Sequence, residues 1–313
     1  MKEFGGVSYY INGNYFVSIN SYTGTKKKRA LRVGESLIAE FPDSIDLKIT
    51  NSCSWNCPFC HESSNPRGKT FDIRKTQEIL EQLPKVGIEL AIGGGNLFDI
   101  PDQTLKFLKW ANKHSFITRI TLNQKDMEKI FYRTNKIYRK IAEEVGGIGI
   151  SINRYIENPI KTPQYTYRIN NLYAKSVFHV IIGVLPVNNL KKILEDKEVY
   201  KKILILGFKQ FGRASGMEIK HLDEWKSIIR KFIKSNNSNK TVGFDNLAIE
   251  QLGLKDFMDD ETWDSSYFGN EFSSSMYIDA VKGEFAPTSR SRERVSWDSI
   301  KLLDYFNNNK NEF

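Results

Sequence analysis

The segment Asp46-Leu-Lys-Ile-Thr-Asn-Ser-Cys53-Ser-Trp-Asn-Cys57-Pro-Phe-Cys60-His61 decides how this chain is read. It holds all three cysteines of 313 residues within eight positions. Just before them, Ser44-Ile-Asp-Leu-Lys-Ile-Thr is a short β-branched run that predicts a core strand. A thiol cluster on the loop leaving a strand is where an α/β enzyme would hold a cofactor.

Working outward, the same unit repeats: a short β run, a turn, then an amphipathic helix. Ile73, Thr76, Ile79, Leu80 and Leu83 share one helical face. Ile88–Ile92 reads as a buried strand ending in Gly93-Gly94-Gly95-Asn96, and Pro101 opens a helix carrying Leu105, Leu108 and Ala111. Further strands are expected at 116–122, 148–152, 177–184 and 203–206. A long helical region should run from Met127 to Val145, and another helix should present Leu222, Trp225, Ile229 and Phe232. Strands alternating with helices predict parallel βαβ units with right-handed crossovers. Six such units give an α/β fold, a partial (βα)6 TIM-like barrel over residues 44–235. Residues 7–20 predict a β-hairpin turning at Asn12-Gly13, making 1–43 an N-terminal extension. Lys26-Lys27-Lys28-Arg29 reads as a solvated loop tip. Residues 236–313, with a short strand, a small helix and a hairpin, are expected to form a C-terminal cap packed on the barrel.

Composition bounds the function classes. Apolar residues make up 40% and aromatics 12%, a globular mixture. No apolar run approaches the ~18 residues that span a bilayer, and Met1-Lys-Glu-Phe-Gly-Gly lacks a signal peptide's apolar stretch. Clustered cysteines with no partners elsewhere point to a reducing compartment. A cytoplasmic protein with no membrane partner is expected. The net charge of +9, from 46 Lys+Arg against 37 Asp+Glu, favours an anionic partner, although no aromatic-interleaved basic stripe accompanies it.

Three thiolates in so short a loop converge on a soft metal centre. A structural zinc site wants four closed ligands, so it would recruit His61, which must turn back on the ion beside Cys60. That reading makes the chain a zinc-stabilised, basic nucleic-acid-binding module using Cys53, Cys57, Cys60 and His61. An iron–sulfur cluster instead accepts three protein thiolates and keeps one iron open.

The spacing Cys53-x-x-x-Cys57-x-x-Cys60 after a first strand, with Gly93-Gly94-Gly95-Asn96 ending the second, resembles the radical S-adenosylmethionine (radical SAM) superfamily over roughly residues 44–210. The resemblance implies a [4Fe-4S] cluster on Cys53, Cys57 and Cys60 whose open iron chelates SAM. It also implies an electron donor such as flavodoxin or ferredoxin. Reductive cleavage of SAM then gives methionine and a 5′-deoxyadenosyl radical, which takes hydrogen from an unidentified substrate: a nucleotide or nucleic acid, or a peptide or protein. By the same resemblance, Gly93, Gly94, Gly95 and Asn96 meet the SAM amino group; Asn96 departs from the Gly-Gly-Glu of many members. Phe59 would lie near adenine, and Asn123, Ser151 and Asn153 near the ribose or carboxylate. Gly183, within Ile181-Ile182-Gly183-Val184, belongs to a segment that packs on adenine. His179 reads as a core histidine. Lys209 and Arg213 read as contacts for an anionic substrate or the SAM carboxylate, or as a polar loop bridging to the tail. No catalytic side chain is assigned. With only three cysteines the chain is of a minimal type without auxiliary clusters, which argues against peptide-maturing relatives with cysteine-rich C-terminal extensions.

Overall fold

The computed structural model describes residues 2–4, 7–20, 25–131, 136–153, 176–235, 240–267, 269 and 272–310. Four short strands open the chain. β1 (Lys2–Phe4), β2 (Val7–Asn12), β3 (Tyr15–Asn20) and β4 (Lys26–Ala30) form an antiparallel sheet in that order. Asn12 pairs with Tyr15, so the hairpin turn is Gly13-Asn14, one residue later than the sequence suggests. Gly13, at φ +58°, occupies the first turn position, where a type II′ hairpin needs positive φ.

A second sheet carries β5 (Ser44–Thr50), β6 (Glu89–Gly94), β7 (Ile117–Asn123), β8 (Gly147–Ser151), β9 (Ser176–Ile181), β10 (Lys202–Leu206), β11 (Thr241–Phe244), β12 (Ser275–Asp279), β13 (Glu284–Ala286) and β14 (Val295–Ser296). Its order is β11-β10-β9-β8-β7-β6-β5-β12-β13-β14. From β11 to β12 every pairing is parallel; β12, β13 and β14 are antiparallel. The architecture is a mixed α/β fold dominated by this large parallel sheet. The parallel run has eight strands, two more than the six read from the sequence, because β11 and β12 join it at opposite ends. Successive units from β5 to β11 stack as neighbours, and right-handed crossovers in that order place their helices on one face.

The strands themselves explain the two faces. Leu47 and Ile49, Leu90 and Ile92, Ile120 and Leu122, Ile148 and Ile150, Phe178 and Val180, and Ile203 and Ile205 are all buried. Side chains alternate across a sheet, so the other face carries Asp46 and Lys48, Ala91 and Gly93, Thr121 and Asn123, Gly149 and Ser151, and His179. The helices are α1 (Ile73–Leu80), α2 (Pro101–Lys113), α3 (Gln124–Phe131), α4 (Lys136–Glu144), α5 (Val187–Glu195), α6 (Leu222–Lys234), α7 (Asn246–Leu252), α8 (Asp260–Ser266) and α9 (Leu302–Asn309). Asp72 caps α1 by accepting from the Lys75 N–H at 3.0 Å, and Pro101 starts α2. The long helix expected from 127 to 145 is two helices, α3 and α4; residues 132–135, and the side chains of Ile130 and Phe131, lie outside the described residues. No helix among the described residues is long and apolar enough to cross a membrane.

The basic run is not a loop tip. Lys26–Ala30 is strand β4, and its alternation sends Lys26 and Lys28 inward while Lys27 and Arg29 face solvent. Both inward ammonium groups converge on Asp43, fully buried just before β5: Lys26 at 2.6 Å and Lys28 at 3.0 Å. Tyr15 Oη donates to the same carboxylate at 2.7 Å, and Asn12 Nδ2 donates to Tyr15 Oη at 3.0 Å. Backbone bonds from Asp43 to Ser274 and from Glu89 to Asp43 complete the joint between the two sheets. Burial alone would raise the Asp43 pKa, but Lys26 and Lys28 outweigh it and hold it below the usual carboxylate range.

Asp43→Ala strands two mostly buried cations and should cost about 3–5 kcal/mol of stability in urea unfolding; a loss under ~1 kcal/mol contradicts the anchoring role. The ion-pair contribution is complete above an unfolded aspartate's pKa of about 3.9 and disappears as pH falls through the lower folded value.

Candidate cofactor site

The parallel strands end at one edge of the sheet, and the residues singled out from the sequence lie along it. The loop after β5 makes a closed excursion whose base is tied by backbone hydrogen bonds. Asn51 N–H donates to Lys69 O at 2.8 Å, Asn65 N–H to Asn51 O at 3.0 Å, and Cys53 N–H to Asn65 O at 2.9 Å. A Cβ on Gly68 would stand 2.0 Å from Asn51 O, so the return strand of the loop needs glycine there. Within the excursion, Cys60 N–H donates to Cys57 O and Ser63 N–H to Cys60 O, two successive turns that fold the cysteines toward one another.

Four attachments hold this loop across the strand ends. The first is the glycine-rich end of β6: Gly95 N–H donates to Thr50 O and Asn96 N–H to Ser52 O, both at 2.7 Å. A Cβ on Gly94 would meet Thr50 O at 2.3 Å, and one on Gly95 would meet Ser52 O at 2.0 Å. The glycines thus let two backbones meet edge to edge, and Gly94, at φ +112°, adopts a conformation that L side chains rarely reach. The second is Asp99, which accepts from Ser54 N–H at 2.6 Å and Ser54 Oγ at 3.0 Å. The third is Trp55, whose Nε1 donates to Asp126 of α3 at 2.7 Å, with Lys125 Nζ 5.3 Å from its ring centroid. The fourth is Arg213, from the loop after β10. Its N–H donates to Cys60 O at 3.0 Å, its Nε to Cys57 O at 2.9 Å and its Nη1 to Ser64 O at 2.8 Å.

Beneath the loop lies a buried charge network. Lys48 Nζ is 2.5 Å from Glu62 Oε2 and 3.0 Å from Asp279 Oδ2. Tyr277 Oη donates to Glu62 at 3.3 Å, and Arg294 lies over the Tyr277 ring. The final strand pairs thereby fix the cysteine loop from below. A lysine between Leu47 and Ile49 of the first core strand was the signal for this network in the sequence. Its partners, 14 and 231 residues away, carry no such mark.

The three cysteines are free and half-buried. Burial raises the Cys53 and Cys57 thiols, and neighbouring cysteines push both higher, while the Arg213 charge opposes the rise at Cys57. Binding a metal would therefore release thiol protons. Among the described residues, no three His, Cys, Asp or Glu side chains stand close enough to share one metal ion. A zinc site needs four ligands at about 2–2.3 Å from one ion. Cys53, Cys57, Cys60 and His61 do not form one, and His61 Nε2 instead lies 3.5 Å from Glu62. An iron–sulfur cluster would take separate thiolates on separate irons.

The remaining sequence candidates divide by what occupies their side chains. Asn96 is buried; its Oδ1 accepts from Phe98 N–H at 3.1 Å and its Nδ2 donates to Asp99, while its backbone N–H and carbonyl are engaged by Ser52 and by the Asp99 N–H. Asn123 Oδ1 accepts from Lys125 N–H at the start of α3. Asn153 N–H donates to Gln124 Oε1 at 3.0 Å, joining the ends of β7 and β8, while Gln124 Nε2 is buried without a partner. Ser151 pairs in register with both Asn123 and His179. Phe59 is half-buried and lies outside the described apolar core. Gly183, at φ +74°, lets Lys220 approach, since a Cβ would be 2.9 Å from its N. His179 lies over Gly149, where a Cβ would be 2.3 Å from Cε1, and it makes no side-chain hydrogen bond among the described residues. Burial lowers its pKa to about 4, so the imidazole is neutral at physiological pH. Lys209 does reach the tail, donating to Ser289 Oγ at 2.8 Å.

No protein-family model matches this sequence, and no curated protein matches it. The structure is similar to crystal structures of Streptococcus suis SuiB. SuiB bound to S-adenosylmethionine superimposes with a TM-score of 0.62 at 11% identity, covering 98% of this chain and 88% of that one. SuiB bound to precursor peptide SuiA gives 0.62 at 12%, covering 96% and 87%. A third SuiB structure gives 0.61 at 13%, covering 98% and 88%. At these identities the likeness is one of fold. The chain shares the SuiB fold over most of its length.

Proposed function

We propose that this chain is a radical SAM enzyme that binds a [4Fe-4S] cluster through Cys53, Cys57 and Cys60. The observation that carries this reading is the cysteine loop, held by its backbone against the glycine-rich end of the adjacent parallel strand. Consecutive strand order, with small and polar residues on the face away from the helices, supports a sheet curved into a partial barrel. When bound, the cluster supplies the electron that cleaves SAM to methionine and a 5′-deoxyadenosyl radical.

The chain's own residues then bind and orient. Gly93, Gly94 and Gly95, with Asn96 next to them, offer close backbone approach for the SAM amino group. Asn123, Ser151 and Asn153 offer polar groups at neighbouring strand ends for its ribose or carboxylate. Phe59 and Gly183 flank the place of the adenine. Trp55, over Lys125 and Asp126, closes one side of the loop against water.

A peptide is the favoured substrate class. The similarity spans most of SuiB, which is itself seen with a precursor peptide. This departs from the expectation drawn from the cysteine count. The electron donor on this reading is a small low-potential protein such as flavodoxin or ferredoxin. The zinc-module reading loses support because its four ligands do not meet.

Anaerobic reconstitution with iron and sulfide should give a brown protein. Dithionite and SAM should then yield 5′-deoxyadenosine, and Cys57→Ala should abolish both. Zinc uptake in place of iron, or reductive SAM cleavage by the variant, overturns the assignment.

Gly95→Ala forces a Cβ into Ser52 O, and SAM affinity should fall at least about tenfold, ~1.4 kcal/mol, in titration of the reconstituted protein. Unchanged affinity removes Gly95 from the SAM site. A peptide substrate should raise 5′-deoxyadenosine formation above the uncoupled rate. Stimulation by nucleotides or oligonucleotides alone points instead to nucleic acid.

A further inference from the structure

We propose that Arg213 is a positioning residue for the iron–sulfur cluster: it latches the cysteine loop and, through its free Nη2, donates to the sulfur of the bound cluster. The inference rests on the cluster reading above. It assigns a role to a residue that the sequence suggested only as a substrate, SAM or tail contact.

Three observations carry it. First, the approach is built into the backbone. Gly212, at φ +57°, packs so closely on the loop that a Cβ would be 2.4 Å from His61 O and 2.8 Å from Cys60 O. That contact delivers the Arg213 N–H to Cys60 O.

Second, the guanidinium is only partly used. Nε and Nη1 donate to the carbonyls of Cys57 and Ser64, which lie on either side of Cys60, whereas Nη2 is buried with no partner among the described residues. An arginine fork carries five N–H donors, and a charged donor left buried and unmet is more costly than a neutral one. Such an orphan needs a partner that protein atoms do not supply.

Third, no described carboxylate neutralises this cation. Glu62 is engaged by Lys48, and Asp99 by Ser54.

A cation with a spare donor against the cysteine loop has a defined consequence once a cluster is bound there. Reduction adds one electron from a low-potential one-electron donor and no proton, so the cluster becomes more negative by one charge. A neighbouring positive charge and an N–H donor to sulfur favour that state and raise the reduction potential.

The test uses Arg213→Gln and Arg213→Lys with the wild type. In the protein without iron, hydrogen–deuterium exchange over 57–64 should accelerate in Arg213→Gln, because the latch to Cys57 and Ser64 is lost. In the reconstituted proteins, EPR-monitored dithionite titration without SAM should show Arg213→Gln at least tenfold harder to reduce, ~59 mV for one electron. Arg213→Lys, which keeps the charge and loses the fork, should fall between. Unchanged exchange overturns the latch, and an unchanged midpoint in a normally loaded variant overturns the donation to sulfur. Absence of a cluster from the wild type sinks the underlying reading and the donation with it, while the exchange experiment still decides the latch.

Discussion

The structure depends on one close backbone contact, between the loop that carries the cysteines and the glycine-rich end of β6. Two hydrogen bonds of 2.7 Å run from Gly95 and Asn96 to Thr50 and Ser52. They form only because neither Gly94 nor Gly95 has a side chain, and a single methyl at either position would overlap a carbonyl oxygen. The contact brings three thiols to the mouth of the sheet and presents glycine backbone beside them. Hydrogen bonds between backbones specify geometry without specifying side chains. That is consistent with a fold shared with SuiB at identities of 11–13%.

Around that contact, charge is used at the two ends of the sheet in different ways. At the strand starts, Asp43 gathers Lys26, Lys28 and Tyr15 and joins the two sheets, which is a matter of stability. At the strand ends, Lys48, Glu62 and Asp279 tie the cysteine loop to the chain's last strands, while Arg213 and Asp126 hold it from the far side. Each group is buried or mostly buried, so losing one partner leaves a costly unpaired charge or donor. The loop is therefore held rigidly before any cofactor arrives, the condition under which a site orients its ligand at little entropic cost.

Much of this was legible in the residues. The alternating β and helical periods located all six strands of the first units, because one face of each strand must be buried against helices. The cysteine spacing and Gly93–Gly95 pointed to a cofactor site through a family resemblance carried by local pattern. The basic run at 26–29 was misread, because a period-two alternation of like charges looks the same whether its inward members are paired or solvated. The extra strands β11 and β12 were seen as segments but not as members of the parallel run, since pairing partners such as Lys48 and Asp279 are 231 residues apart.

The sequence by itself determined most of the element types, the clustering of the thiols and the glycine positions, all consequences of short-range periodicity and of what each side chain can or cannot do. Only the tertiary structure decided that Asn96 spends its side chain on a turn, that His61 turns to Glu62, and that Arg213 belongs to the cysteine loop. The first two pair near neighbours in the sequence, and the third spans 156 residues. They follow from which groups are buried together, and burial is a property of the assembled fold.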